Sequence, residues 1–343
     1  MVSDPRTIKG SLLVTGGAGF LGSYFVRLAL KLGASKVTNV DLLSYAGDTR
    51  RLEDLTGDER YEFIQADVAD PASMVKIVDE CQPKAIIHYA AESHVTRSEA
   101  DPERFFRTNV EGTRAVLDAA LECGVERVVH VSTDEVYGPI ESGLFCETDK
   151  PEGFGKSTSP YAQSKAIADD LARSYADKLE VVVARPTNAF GPWQFPEKAF
   201  PRWITRALQG QPLLVWGDGM YVRQWLFAQD FAEAISVLLL SGAAGEVYNV
   251  GPVHDPEINN LDLAQWIAAH LALPGDAVQL TPYDRPNHDR RYAVDPAKIE
   301  ALGWRPGNVE KQFEETVKWY RDNDSWWQPH LEEAESIYRL HSA

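Results

Sequence analysis

Cationic residues, cysteines and long apolar runs are all scarce in this chain. Lys and Arg number 34 against 51 Asp and Glu, a formal net charge of −17. That balance argues against a nucleic-acid partner, because such binding rests on basic surface. No apolar run reaches the roughly eighteen residues that a bilayer span requires, so no membrane partner is expected. Lys9-Gly10 leads straight into a short apolar strand without the pattern of a signal peptide. The three cysteines (Cys81, Cys123 and Cys146) have no metal-ligand spacing and form no even disulfide set. Reduced thiols in a cytoplasmic protein are the expectation, and no metal site is anticipated. There is no internal repeat and no low-complexity tract. What remains is ordinary: 343 residues, 44% hydrophobic and 25% charged, enough for a full core in one large domain or two.

Apolar strand patterns alternate with helical ones through the first half. Candidate strands are Leu12–Thr15, Val37–Asp41, Tyr61–Gln65, Ala85–Tyr89, Val128–Ser132 and Val181–Arg185. Helical periodicity is clearest over Phe20–Leu32, Glu103–Glu122 and Tyr161–Leu179. Such alternation predicts an α/β fold, a Rossmann-type doubly wound parallel sheet with right-handed crossovers. Ligands in such sheets bind beyond the carboxyl ends of the strands, where Asp41, Asp67, Ala91 and Thr133 fall. After about Phe190 prolines and tryptophans become frequent and strands shorten. The expected division is a nucleotide-binding domain over 1–190 and a smaller C-terminal, mainly substrate-binding lobe over 191–343. Segments within about 222–251, near Trp225–Phe227 and Val247–Val250, are expected to return to the main sheet.

Gly16-Gly17-Ala18-Gly19-Phe20-Leu21-Gly22 follows the first strand and opens the first helix. Gly16 and Gly19 allow a tight turn and close approach of a pyrophosphate to backbone N–H groups, and Gly22 lets helix and strand pack closely. Asp41 ends the second strand about twenty residues on, as a ribose-binding acid does. A carboxylate there repels a 2′-phosphate and favours NAD over NADP. Asp67-Val68, ending the third strand, is either an adenine contact or a strand-end cap. The acidic chain would need a local positive pocket for an anionic ligand. Its densest basic cluster runs from Asp284 to Arg291, a solvated loop or a phosphate site.

Two further stretches carry chemistry. Thr133-Asp134-Glu135 sets a hydroxyl, a candidate acid and a candidate base side by side after an apolar strand, although adjacent carboxylates also occur as plain loop residues. Tyr161 and Lys165 stand one helical turn apart on one face, after the helix-start signal Ser159-Pro160. A neighbouring ammonium is how a phenol with a reference pKa near ~10 becomes a usable base. Together they describe a site that oxidises an alcohol to a ketone and eliminates water beside it. His88 and His94 have no partner at metal spacing and read as core or supporting residues. Asn188, after the sixth strand, reads as a turn residue or a contact.

These stretches resemble the extended short-chain dehydrogenase/reductases, and within them the dTDP-glucose 4,6-dehydratase family. The matching segments are Tyr89-Ala-Ala-Glu-Ser-His94-Val, Ser132 to Gly138, Ser159-Pro-Tyr161 through Lys165-Ala, and Gly191 to Lys198. Further matches are Trp216 to Gly219, Arg223, Asp284-Arg-Pro through His288 to Tyr292, and Leu302-Gly-Trp304. The resemblance implies NAD as cofactor and a nucleotide-diphosphate sugar as substrate. It implies catalysis by Thr133, Asp134, Glu135, Tyr161 and Lys165: Tyr161, lowered by Lys165 and the nicotinamide charge, takes the C4 hydroxyl proton while Thr133 holds that oxygen. Glu135 then removes the C5 proton and Asp134 protonates the departing C6 hydroxyl. It implies cofactor contacts at Gly16, Gly19, Phe20, Leu21, Gly22, Asp41, Ser44, Asp67, Val68, Ala90, Ala91, Thr108, Tyr161, Lys165 and Asn188. Substrate contacts are implied at Ser93, Thr133, Asn188, Lys198, Trp216, Arg223, Asn260, Arg285 and His288.

The chain departs from that family's pattern at Thr96, Ala189, Phe190, Trp216, Gln224 and Asn287, which leaves the sugar and nucleotide open. A nucleotide-sugar 4-epimerase is the alternative of the same fold, with Asp134 and Glu135 idle; a non-catalytic NAD-binding regulatory protein is the alternative of another class. Helices 103–122 and 161–179 carry apolar or small residues on more than one face, among them Phe105, Phe106, Val110, Ala115, Ala119, Ala162, Ala166, Ala168 and Ala172. A helix apolar beyond one stripe needs a second burial partner, and the resemblance implies a homodimer through these two helices.

Overall fold

The computed structural model describes residues 7–149, 159–282 and 289–339. Arg285, Asn287 and His288 lie outside them. The main sheet has seven strands, all parallel, in the spatial order 247–250, 180–186, 127–131, 85–88, 11–15, 36–41, 61–65. Val247–Val250 therefore joins the sheet, beside Glu180–Pro186. The order reverses between Ser11–Thr15 and Ala85–His88, and it is at such a switch point that a crevice opens.

Both faces of the sheet are covered, which is why its strands are apolar throughout. One face packs on helices Phe20–Lys31 and Ala228–Ser241 through Phe25, Val26, Phe231 and Leu238. The other packs on Pro71–Cys81, Gly112–Glu122 and Pro160–Ser174 through Met74, Val116 and Ala172. A third, aromatic core of Phe190, Phe200, Trp203, Trp225, Phe227, Phe313 and Trp327 lies in the second half of the chain.

Three expectations need correction. Trp225–Phe227 pairs in parallel with Asn188–Phe190 in a separate two-stranded sheet. Pairing of the last two main strands ends at Val250 and Pro186, and the 188–190 segment buries Phe190 in the aromatic core instead. The helix predicted over 161–179 ends at Ser174, and Leu179 N donates back to the Tyr175 carbonyl in a closing turn. The small and apolar residues cited for a dimer face are mostly spent inside the protomer. Phe105, Ala115, Ala119, Ala162, Ala166, Ala168 and Ala172 are all buried here, and only Phe106 and Val110 are half-exposed.

Candidate active site

The turn after the first strand is held by Gly16 N donating to Val40 O (2.7 Å) and Gly19 N donating to Gly16 O (3.1 Å). Gly16 has φ +72°, and a Cβ there would meet the Ala90 backbone nitrogen at 2.6 Å. Only glycine fits both the left-handed backbone and the space. Asp41 turns back to the same loop, its carboxylate accepting from Ala18 N (3.0 Å) and Leu43 N (2.8 Å). Asp67 accepts from Ala69 N (2.9 Å) and pairs with Arg107 (2.7 Å), so it caps its own strand end and also faces the crevice.

The second half of the site stands opposite. The hydroxyl of Thr133 caps the short 3-10 turn Asp134–Tyr137, accepting from Glu135 N and donating to Asp134 Oδ1, both at 3.3 Å. Ser159 caps the helix Pro160–Ser174, accepting from Ala162 N at 3.2 Å. This seats Tyr161 and Lys165 on the sheet side, with Lys165 Nζ donating to the Val131 carbonyl at 2.7 Å. A π-helical turn at Arg107–Glu111 interrupts the preceding long helix, a feature frequent at functional sites. It brings Thr108 to the cavity and buries Asn109. That amide bonds both Glu92 N (2.9 Å) and Glu92 O (3.0 Å), and donates to Ser164 Oγ (2.9 Å). Asn109 thus braces the 90–93 loop against the Tyr161 helix, a role no local pattern marks.

These elements enclose a cavity of about 370 Å³. All fifteen positions expected to contact the cofactor line it, from Gly16 to Asn188, as do Thr133, Asp134, Glu135, Ser93 and Lys198. Lys198 Nζ donates to Ser93 O (2.9 Å) at its rim. Trp216, Arg223 and Asn260 do not line it. Trp216 packs on Tyr338, ring centroids 5.6 Å apart; Asn260 begins the helix Asn260–His270. Arg223 donates to the carbonyls of Val222 (2.7 Å) and Asp289 (2.9 Å) and lies over the Tyr292 ring. Gln224, one of the departures, clamps the backbone of Val294 from both sides (2.8 and 3.1 Å), which ties the residue after Arg223 to the segment that follows Asp289.

Sequence reasoning missed several lining residues. Tyr45 donates to Glu197 Oε1 across the cavity (2.7 Å), and Arg97 Nε donates to Glu197 Oε2 (3.1 Å). Glu197 precedes Lys198 in a segment where only the lysine was singled out. Arg51, fully buried, donates to Ala18 O, Ala46 O and Trp193 O. Two of its three acceptors, Ala18 and Trp193, come from distant parts of the chain, so the local sequence does not signal the role.

The electrostatics separate the titratable groups. Burial, reinforced by the Glu135 charge, pushes Asp134 up to about 7 against the opposing pull of Arg223. Burial pulls Lys165 down to about 8, and Asp169 opposes that fall. Tyr161 is raised well above the phenol range by burial and then by Glu135, with the Thr133 hydroxyl bond acting the other way. The expected lowering of Tyr161 by Lys165 is therefore not realised in the protein alone. The ammonium is directed at Val131 O, and the phenol faces a carboxylate.

The cavity fits a bound dinucleotide. Eight buried side-chain atoms that lack a hydrogen-bond partner among the described residues belong to its lining: those of Arg51, Tyr89, Ser132, Asp134, Thr187, Asn188, Gln194 and Trp225. Unsatisfied buried polar atoms at such density mark a site that a polar ligand completes. Residues 12–251 match the model of the NAD dependent epimerase/dehydratase family. The chain belongs to that family. A family relative, the dTDP-glucose 4,6-dehydratase of Xanthomonas campestris pv. campestris, is 41% identical over 96% of this chain and 98% of its own length. The crystal structure of DesIV, a dTDP-glucose 4,6-dehydratase from Streptomyces venezuelae with NAD bound, superposes with a TM-score of 0.88. It is 41% identical and covers 93% of this chain and 99% of that one. The UDP-glucose 4-epimerase of Thermus thermophilus, solved with NAD, has a TM-score of 0.83 at 30% identity, over 91% of this chain and 99% of its own. NAD is accordingly the cofactor of this epimerase/dehydratase-family chain. Among the described residues no cluster of three or more His, Cys, Asp or Glu could hold a metal ion, and no helix is long and apolar enough to cross a membrane.

Proposed function

We propose that this protein is a nucleotide-sugar 4,6-dehydratase acting on dTDP-glucose to give dTDP-4-keto-6-deoxyglucose. The observation that carries the reading is Asp134: a buried carboxyl raised to about 7, beside Glu135 and in the same cavity as Tyr161. An epimerase needs no second acid and base there. Incubation with dTDP-, UDP-, CDP- and GDP-glucose, followed by mass spectrometry, tests it. Loss of one water from the dTDP sugar is expected. Inversion at C4 without loss of water would replace this reading with an epimerase.

What NAD supplies when bound is a reversible hydride acceptor. Tyr161 takes the proton of the C4 hydroxyl as that carbon is oxidised, and Thr133, already bonded to the phenol, holds the same oxygen. The ketone acidifies the C5–H, which Glu135 removes. Asp134, protonated near neutral pH, delivers its proton to the departing C6 hydroxyl. The reaction ends with no net redox change. General acid–base steps of this kind contribute about 10²–10⁴-fold each.

The substrate lobe, in this proposal, is residues 191–343 and covers the strand ends of the 1–190 domain. Lys198, Arg223, Arg285 and His288 hold the diphosphate, and Trp216 and Asn260 are further substrate contacts. The charge of Arg223 reaches Asp134, which supports its standing at the substrate side. An Arg223→Lys enzyme should have a KM raised well above tenfold, since a charged hydrogen bond contributes about 1.5–3 kcal/mol and lysine lacks the guanidinium fork. Its NAD content on purification should not change; a normal KM would remove Arg223 from the site.

The free cysteines support a reducing, cytoplasmic location. The half-exposed Phe106 and Val110, with exposed Leu121 on the same long helix, support a homodimer through helices 103–122 and 161–179. Light scattering at micromolar concentration should give twice the 38.2 kDa chain mass, and a monomeric mass would remove the dimer.

A further inference from the structure

The nine-residue helix Leu331–Arg339 is too short to be more than marginal by itself in water, and it docks through buried Ala334 and Ile337. Three of its side chains tie it to two segments that meet at the cavity rim. On the first segment, Glu333 accepts from Arg97 Nη2 at 2.8 Å, and Arg97 belongs to the short helix Val95–Ala100, just beyond Ser93. On the second, Glu335 accepts from Arg202 Nε at 2.7 Å and Nη2 at 2.9 Å. The Arg202 guanidinium lies 3.8 Å over the Tyr338 ring, and the Tyr338 hydroxyl donates to the Glu197 carbonyl. Lys198 stands between these two attachment points, where it opens the helix Ala199–Leu208. Its ammonium donates to Ser93 O at 2.9 Å, so this lysine spans from one tied segment to the other.

We infer that Glu333, Glu335 and Tyr338 are positioning residues, which set where Lys198 places its charge for the substrate diphosphate. The inference rests on the proposed dehydratase reading, which gives Lys198 that role. A lysine ammonium sits on a flexible four-carbon stem, so its placement depends on the backbone that carries it. Local bonding before Lys198 is loose, since its N–H reaches Phe195 O only at 3.4 Å. Tyr45 holds the Glu197 carboxylate from the cofactor side, whereas Tyr338 holds the Glu197 carbonyl, the main-chain group that leads into Lys198. Glu335 fixes the first turn that follows it. Through Arg97, Glu333 steadies the segment that supplies the Ser93 carbonyl. Partly exposed ion pairs such as Arg97–Glu333 contribute little to stability, so stability alone is a poor account of the arrangement.

The full-length double variant Glu335→Gln/Tyr338→Phe keeps side-chain volume and the ring contacts to Arg202 and Trp216, but loses the charge pair and the hydroxyl bond. With NAD bound, isothermal titration with dTDP, UDP, CDP and GDP identifies the nucleoside diphosphate that the wild type binds most tightly. The double variant should bind that one about ten- to hundredfold more weakly, the contribution of one charge-assisted hydrogen bond, with NAD affinity unchanged. Lys198→Met should weaken it by a similar factor. Adding Glu335→Gln/Tyr338→Phe to Lys198→Met should then weaken binding no further, because a misplaced lysine and an absent one are equivalent. Equal losses in both backgrounds would be a general structural effect and overturn the inference, as would wild-type affinity in the double variant. If the double variant does not fold, Tyr338→Phe alone goes through the same cycle and the same outcomes decide. Wild-type affinity in Lys198→Met removes that residue from the diphosphate site, a failure of the underlying reading. A weakened Lys198→Met with no coupling to the helix is a failure of the inference alone. A wild type that binds none of the four diphosphates would sink both.

Discussion

Asp134→Asn and Glu135→Gln should each reduce bound NAD when mixed with substrate yet form about 10²–10⁴-fold less 6-deoxy product than the wild type. In the proposed reaction oxidation at C4 uses Tyr161, Thr133 and Lys165, none of which these substitutions replaces. Elimination needs a proton delivered at C6 and one removed at C5, and neither amide can do its part. The pH dependence follows from the same environment. Asp134 is raised to about 7 by burial and by the Glu135 charge, so its proton-donating form is retained below that pH and lost as pH rises through it. Wild-type product formation should fall above about pH 7, with NAD reduction persisting to higher pH. Stopped-flow absorbance of the reduced cofactor, paired with mass spectrometry of the sugar, separates the two steps. Dehydration at wild-type rates by both variants would end the assignment of this pair.

Gly22→Ala should yield a protein purified without its cofactor. A Cβ at Gly22 would come within 2.8 Å of Gly17 Cα and closer still to the Gly16 carbonyl oxygen. Both are backbone atoms, so the turn itself has to move. That turn is pinned by Gly16 N to Val40 O, by Gly19 N to Gly16 O and by Ala18 N to Asp41, and shifting it misplaces the N–H groups meant for the pyrophosphate. Overpacking of this kind costs about 1–3 kcal/mol, which corresponds to roughly ten- to hundredfold weaker NAD binding at 1.4 kcal/mol per factor of ten. Gly275→Ala is the control: nothing lies within 4 Å of a Cβ there, so melting temperature and NAD content should stay put. Isothermal titration with NAD measures the effect, and wild-type affinity in Gly22→Ala would show that the turn accommodates the methyl.

Most of the architecture was legible along the chain because its causes are local. The seven-stranded parallel sheet follows from apolar runs separated by helical periods, and six of its strands were located to within one residue at each end. The glycine turn, Asp41 at the end of the second strand and the capped helix bearing Tyr161 and Lys165 are each specified within a few residues by backbone sterics and hydrogen-bond spacing. What the chain could not disclose depends on which distant groups end in contact. The same Trp225–Phe227 pattern suits either sheet, and burial of Phe190 in the aromatic core decided for the smaller one.

The alanines of helices 103–122 and 161–179 look like a docking face in one dimension, yet they are buried within the protomer. Tyr45 and Glu197 meet across 152 residues, and Arg185 finds Asp169 across 16. The candidate acid, base, phenol and ammonium were read from sequence alone. Their protonation was set by tertiary structure, because desolvation and the placement of neighbouring charges act only once the chain has folded around them.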